Sequence, residues 1–320
     1  MAGIKMTNKK LMIGIPTKNH PVYIQVYLAR VLHDAKDYGI DLHIYDSSDN
    51  NLTEEIVKRK IQNSYDNLYY HRCIVDDIST PPAEKIKNIL VGSGYEYVWL
   101  CGDGVMLNLD NVMPYVDQEM KKNRDLIIFG NFDSTYGYTE YTAPIKLMAE
   151  QWKSLSLYGG TIYRGNLFSE DEWAKLFPVY TDNIQLAGIF DLFARKPLNA
   201  VSVRTAFFTG NPYKEEATWI SGGNLLQTVV DHIPSAVDKL PEMYSSVKAQ
   251  TGRSFSELRG MLLPPNLWWL RATGNITPQK VIKYRKQLKK ISDTKWVFFM
   301  GASLVPQKLA EKLSNIFSYA

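Results

Sequence analysis

The chain has 320 residues, 45% of them hydrophobic and 22% charged, with a formal net charge of +4. That length buries a full core, the composition is that of a globular protein, and the small charge gives no ground for a nucleic-acid partner. Only two cysteines occur, Cys73 and Cys101, both within apolar runs. This argues against a disulfide framework or a spaced zinc set and for buried thiols in a reducing compartment. The opening run MAGIKMTNKKLMIGIP is too short for a signal-peptide core, and no window approaches the roughly 18 uncharged apolar residues of a membrane span. A cytoplasmic location is expected.

In chain order, Lys10–Pro16 (KLMIGIP) is a short buried strand. The turn Thr17-Lys18-Asn19-His20 follows, and Pro21 suits the first turn of a helix. Pro21–Lys36 spaces Ile24, Tyr27, Leu28, Val31 and Leu32 as one face of that helix. Ile40–Asp46 is a second strand running into Ser47-Ser48-Asp49-Asn50, and Leu68–Val75 is a third. Pro82–Val91 suits a helix. Tyr95–Leu107 begins as a fourth, fully apolar strand and breaks at Gly102-Asp103-Gly104, where two glycines allow a ligand close to the backbone. A helix over Leu109–Lys121 and a strand over Leu126–Gly130 complete the alternation.

This order predicts an α/β fold with a doubly wound, mainly parallel sheet flanked by helices. The polar turns after the first, second and fourth strands then share the carboxyl edge, where open α/β sheets bind ligands. Trp152–Tyr163 is aromatic-rich and broken by Gly159-Gly160. Ala187–Arg195 carries one acid, Asp191, in an apolar helix, a setting that raises a carboxyl pKa and suits a general base. Asp182, the run Glu170-Asp171-Glu172 and the pair Glu215-Glu216 are reserves for that role. From about Val201 the character changes. A helix is expected over Trp219–Val230 and a basic amphipathic helix over Ile276–Ile291. An apolar run, Trp296–Met300, and a last helix over Leu304–Phe317 follow. The expected division is a core over 1–200 and an acceptor-side segment with a helical C-terminal extension over 201–320. This tail completes an acceptor site, mediates self-association or touches an anionic membrane surface. Its large aromatic side chains rank self-association first.

The succession IGIPTKNHP, helix, IYDSSDN and YVWLCGDGVM resembles the nucleotide-sugar-binding half of the family 2 glycosyltransferases with the GT-A fold. The resemblance covers Lys10–Gly130 and, more loosely, Ser156–Asp191. It implies a UDP-sugar donor, with Pro16, Thr17 and Asn19 around the nucleobase and ribose. Asp46 would accept from the base N–H, and Ser48 stands beside it. It further implies Asp103 at the diphosphate with a divalent cation (Mn²⁺ or Mg²⁺), Tyr158 and Gly159 beside the donor sugar, and Asp191 as the base in an inverting transfer. Lys85 and Lys87 stand where the family often carries a cation near the diphosphate. The acceptor implied is a glycan, glycoprotein or glycolipid, as on bacterial surfaces or adhesins, reached from the cytoplasm or the inner face of the membrane. The family pattern has two acids flanking one residue, whereas this chain has only Asp103 between glycines. That departure leaves open a domain that binds nucleotide sugars without turnover. A nucleotidyltransferase is disfavoured, because no Gly-rich phosphate loop is present.

Overall fold

The computed structural model describes residues 10–63, 65–75, 78–79, 81–130, 137–180, 184–213, 223–256 and 260–317. The chain divides into two compact units, Met1–Lys214 and Glu215–Ala320.

The strands of the first unit are β1 Leu11–Thr17, β2 Asp41–Asp46, β3 Leu68–Arg72, β4 Ile74–Val75, β5 Ile78–Ser79, β6 Tyr97–Leu100, β7 Val105–Leu107, β8 Leu126–Phe129, β9 Tyr138–Tyr141, β10 Thr161–Arg164, β11 Ala200–Val203 and β12 Phe208–Gly210. Its helices are α1 Pro21–Asp37, α2 Leu52–Gln62, α3 Pro82–Leu90, α4 Leu109–Lys121, α5 Pro144–Leu155, α6 Glu170–Leu176 and α7 Ile184–Phe193. Eight strands form one mostly parallel sheet in the order β3-β2-β1-β6-β10-β8-β11-β9.

The expected doubly wound arrangement is present in β3-β2-β1-β6, all parallel, with Thr17 opposite Asp46 and Gly14 opposite Leu100. The central strands β1, β6 and β8 are apolar along their length because helices cover the sheet. Every residue of β6 and β8 is buried, and α1 lays Ile24, Tyr27, Leu28, Val31, Leu32 and Ala35 into the same core. The run Leu68–Val75 is not one strand. It stops at Arg72, and Ile74–Val75 pairs instead with β5. Two strands interrupt the parallel order: β10 lies antiparallel between β6 and β8, and β9 antiparallel on β11. Beyond the Gly-Asp-Gly turn, β7 pairs with β12.

The second unit is helical. A π-helical turn, Leu226–His232, runs into Ile233–Asp238, and the helices Ser245–Ser256, Leu267–Ala272, Pro278–Lys283, Arg285–Ile291, Trp296–Leu304 and Gln307–Phe317 follow. The helix expected over Trp219–Val230 falls partly outside the described residues. The basic stretch Ile276–Ile291 is two helices rather than one. Tyr284 leaves helical dihedrals (φ −95°, ψ 16°) while its ring stays buried, so Val281, Tyr284, Leu288 and Ile291 still form one apolar stripe. The last helix starts at Gln307, not Leu304, because Val305 is extended ahead of Pro306.

Candidate active site at the carboxyl edge of the sheet

Because β1, β2 and β6 run parallel, the turns after them meet at one edge. Asp103, carried by the glycine turn after β6, is the centre of what meets there. Its Oδ2 accepts from Thr17 Oγ1 at 2.8 Å and contacts His20 Nδ1 at 2.8 Å. Oδ1 has no hydrogen-bond partner among the described residues, and the side chain is 16% exposed. His20 is the N-cap residue of α1 yet makes no capping bond, since its ring is turned to Asp103 and stacks on Tyr23 at 4.6 Å. The carboxylate thus lies by the N-terminal end of a 17-residue helix, whose dipole favours an anion. Asn211, just past β12, fastens the arrangement. Its Nδ2 donates to the carbonyls of Tyr23 and Asp103 at 3.2 and 3.3 Å, and its N–H to that of Gly104 at 3.1 Å.

The turns after β1 and β2 are tied to each other. Asn19 sits in the left-handed region at φ 57°, which asparagine tolerates better than most side chains. Its N–H donates to Ser48 Oγ at 2.7 Å, and its amide exchanges two hydrogen bonds with Asp49, at 2.8 and 2.9 Å. Asp46 ends β2 and is fully buried. Oδ1 accepts from the Ser48 N–H at 2.8 Å and from Ser48 Oγ. Oδ2 accepts from Tyr70 OH at 2.9 Å and Arg72 Nη1 at 3.4 Å. Beneath both turns lies Lys85 of α3, 5% exposed, donating to the Thr17 carbonyl at 3.0 Å and to Ser47 Oγ at 2.7 Å. Burial lowers its pKa. Lys87 points elsewhere, to Glu170 at 2.8 Å, so of the two lysines only Lys85 belongs to this edge.

Tyr158 and Gly159 back the glycine turn. A Cβ at Gly102 would stand 3.5 Å from Tyr158 Cβ. Burial pushes the Tyr158 phenol up to about 12. Gly159 has φ +95°, donates to the Leu100 carbonyl at 2.7 Å and accepts from Trp99 Nε1 at 2.8 Å. A Cβ there would lie 2.9 Å from Val105 Cγ1. Gly159→Ala is therefore expected to cost about 1–3 kcal/mol through backbone strain and overpacking, read as a lower thermal midpoint of the purified chain. A melting curve superimposable on wild type would contradict that.

Pro16, opposite Tyr45 in the β1–β2 ladder, leads into the same edge. Pro16, Thr17, Asn19, Asp46, Ser48, Asp103, Tyr158 and Gly159 are accordingly neighbours through direct bonds or adjacent positions. Asp191 shares no hydrogen bond with them. On α7, its Oδ2 accepts from Tyr180 OH at 2.9 Å and its Oδ1 from Arg195 Nη2 at 3.0 Å. The neighbouring Phe190 stacks on Trp152 at 5.4 Å. Among the reserve acids, Glu172 is in a capping box with Ser169 and is ion-paired with Lys196, and Glu170 pairs with Lys87. Asp182, Glu215 and Glu216 lie outside the described residues.

Among solved structures, this architecture is similar to that of S. aureus TarS. The chain is similar in fold to the crystal structure of S. aureus TarS 1-349 in complex with UDP-GlcNAc. The TM-score is 0.54 at 12% identity, covering 97% of this chain and 93% of that one. The fold is that of the GT-A glycosyltransferases. A second S. aureus TarS crystal structure matches with a TM-score of 0.52 and 14% identity over 92% of this chain, which spans 55% of that chain's length. No family model matches the sequence, and neither does any curated protein.

Four site residues escape sequence reading: His20, Asn211, Tyr70 and Arg72. His20 stood within the recognised turn, and its place before Pro21 at a helix start is a signal only in retrospect. Asn211 stands 108 residues from Asp103, and no local pattern announces it.

Proposed function

We propose that this chain is a glycosyltransferase taking a UDP-sugar donor and transferring the sugar to a hydroxyl of a glycan, glycoprotein or glycolipid with inversion. The observation that carries this reading is the bond from Thr17 to Asp103. It joins the turn that would hold the nucleoside to the turn that would hold the diphosphate, on the ligand edge of a GT-A sheet. TarS, to which the chain is similar in fold, was crystallised with UDP-GlcNAc.

In this reading Pro16, Thr17 and Asn19 line the nucleoside and Asp46 reads the base. Both Asp46 oxygens are engaged, so reading the base requires Ser48 Oγ or Arg72 to give way. Asp103 Oδ1 has no hydrogen-bond partner among the described residues. It fits Mg²⁺ or Mn²⁺ where substrate phosphates supply the other oxygens. It does not fit an all-protein cage, for no cluster of three or more His, Cys, Asp or Glu suited to a metal occurs among the described residues. Such a cation, when bound, neutralises charge on the departing diphosphate. Tyr158 and Gly159 border the sugar. Asp191 accepts the acceptor hydroxyl proton, held by Tyr180 and Arg195, while the acceptor oxygen bonds to the anomeric carbon and the bond to the diphosphate breaks.

A domain that binds nucleotide sugars without turnover is the second reading. It is favoured by the single acid of the turn and by the ion pair that already occupies Asp191. Hydrolysis of a panel of UDP-sugars, with and without Mn²⁺, separates the two. Slow release of UDP from at least one donor is expected, and donor binding with no release under any condition would support the second.

A further inference from the structure

The C-terminal helices carry a surface that the proposed transfer does not use. Helix Trp296–Leu304 is apolar except for Ser303 but buries only part of itself. Phe299, Ala302 and Ser303 face inward, whereas Val297, Phe298 and Leu304 are 62%, 52% and 67% exposed. Positions 297, 301 and 304 fall on one helical stripe with 298 beside it, and a Cβ at Gly301 would meet nothing. The neighbouring helix Pro278–Lys283, bound through Trp296 Nε1 to the Val281 carbonyl, adds Ile282, 61% exposed.

The patch belongs to a cationic stretch of the chain. Residues 276–317 hold nine Lys and Arg against two acids, Asp293 and Glu311, while the whole chain is only +4, so the remainder is net acidic. Lys290 is spent on Asp238 and Lys280 on the carbonyls of Gly223 and Gly274. Arg285 lies over the Trp296 ring at 4.7 Å. Lys286, Lys289, Lys295, Lys308 and Lys312 are exposed and in no ion pair among the described residues. A second copy seated here would bring two such surfaces together within a Debye length, a repulsive arrangement. A nucleic acid would find a single exposed aromatic, Phe298, among aliphatic side chains, where tracking a strand needs a row of stacking faces. An anionic lipid surface answers both features at once: headgroups to the lysines, the acyl boundary to the apolar stripe.

We infer that the face formed by Ile282, Val297, Phe298 and Leu304, within this lysine-rich stretch, docks the protein peripherally on an anionic bilayer. No helix among the described residues is long and apolar enough to cross a membrane, so the contact is one of lying on the surface.

The test is co-sedimentation of the full chain with phosphatidylcholine vesicles, with and without phosphatidylglycerol as about a third of the lipid. Expected is binding to the mixed vesicles, weakened by salt, and little to phosphatidylcholine alone. The double charge reversal Lys286→Glu/Lys289→Glu should weaken it by roughly several hundredfold, at about fivefold for each of the four charge units removed. Phe298→Asp should weaken it by at least about tenfold. Both changes are at exposed positions, and unchanged melting curves and UDP binding confirm that the fold is intact. Equal binding to both vesicle types, no binding, or variants that pellet like wild type would overturn the inference. So would a dimer in light scattering that Phe298→Asp converts to monomer without any vesicle binding in wild type, or retention by DNA at salt that abolishes lipid binding.

Discussion

Replacing Asp103 by Asn is expected to lower turnover of the UDP-sugar donor by on the order of a hundred- to a thousandfold, the usual cost of removing a positioned electrostatic group. The change keeps the shape and leaves Thr17 Oγ1 an oxygen to donate to, so the fold should survive. What it removes is the negative charge facing the ligand through Oδ1. A dependence on Mn²⁺ should weaken in parallel, because one carboxylate oxygen is all that the turn supplies. Steady-state kinetics over a Mn²⁺ series reads both effects. Activity and metal dependence equal to wild type would remove Asp103 from the role proposed for it.

The second large effect is expected at Asp46. Its carboxylate is fully buried and accepts from the Ser48 N–H and hydroxyl, Tyr70 OH and Arg72. Asp46→Ala strands those donors in a buried site and removes a counter-charge from Arg72 and from the Lys85 ammonium. Breaking such a buried set costs about 2–4 kcal/mol, the lower end applying because Arg72 is partly exposed. For a unit of this size that is a fall in Tm of about 5–15 °C. Asp46→Asn retains the shape and part of the hydrogen bonding, so its Tm should lie between those of Asp46→Ala and wild type. Its affinity for UDP should still fall, though by less than that of Asp46→Ala, since the amide oxygen can accept from the base N–H but without the charge that strengthens the bond. Calorimetric melting and UDP titration of the two variants separate the structural share from the binding share. Intact UDP binding in Asp46→Asn would leave this residue a structural post only.

Much of this edge was legible because its chemistry is local. Pro16-Thr17-Lys18-Asn19 and Gly102-Asp103-Gly104 are turns by residue type alone, and an alternation of strand and helix dictates that turns after parallel strands meet. The sequence also placed Asn19 and Ser48 in facing turns, and they are joined by a 2.7 Å hydrogen bond. What stayed hidden lies between residues far apart in sequence. Tyr70 and Arg72 reach Asp46 only because β3 pairs in register with β2, and alternation along LYYHR does not say which strand will be the neighbour. The antiparallel β10 is four residues long, too short for periodicity to distinguish it from the glycine bend before it. Helix α2 has only Thr53 and Val57 buried, so it left little apolar pattern to read. Asp191 was legible as an acid in an apolar helix, but not its partners Tyr180 and Arg195. The first comes from outside its helix, and the second stands a turn further on, where it is equally at home in solvent.

In the proposed reading the turns around Asp46 and Asp103 form one nucleotide site. Titration calorimetry of UDP into wild type, Asp46→Asn and Asp103→Asn, each with and without Mn²⁺, tests it most directly. Saturable binding of one UDP per chain, tightened by Mn²⁺, is expected in wild type. Weaker binding is expected in Asp46→Asn under both conditions, and loss of the Mn²⁺ effect in Asp103→Asn. No UDP binding by the folded wild-type chain, or identical titrations for all three proteins, would contradict it.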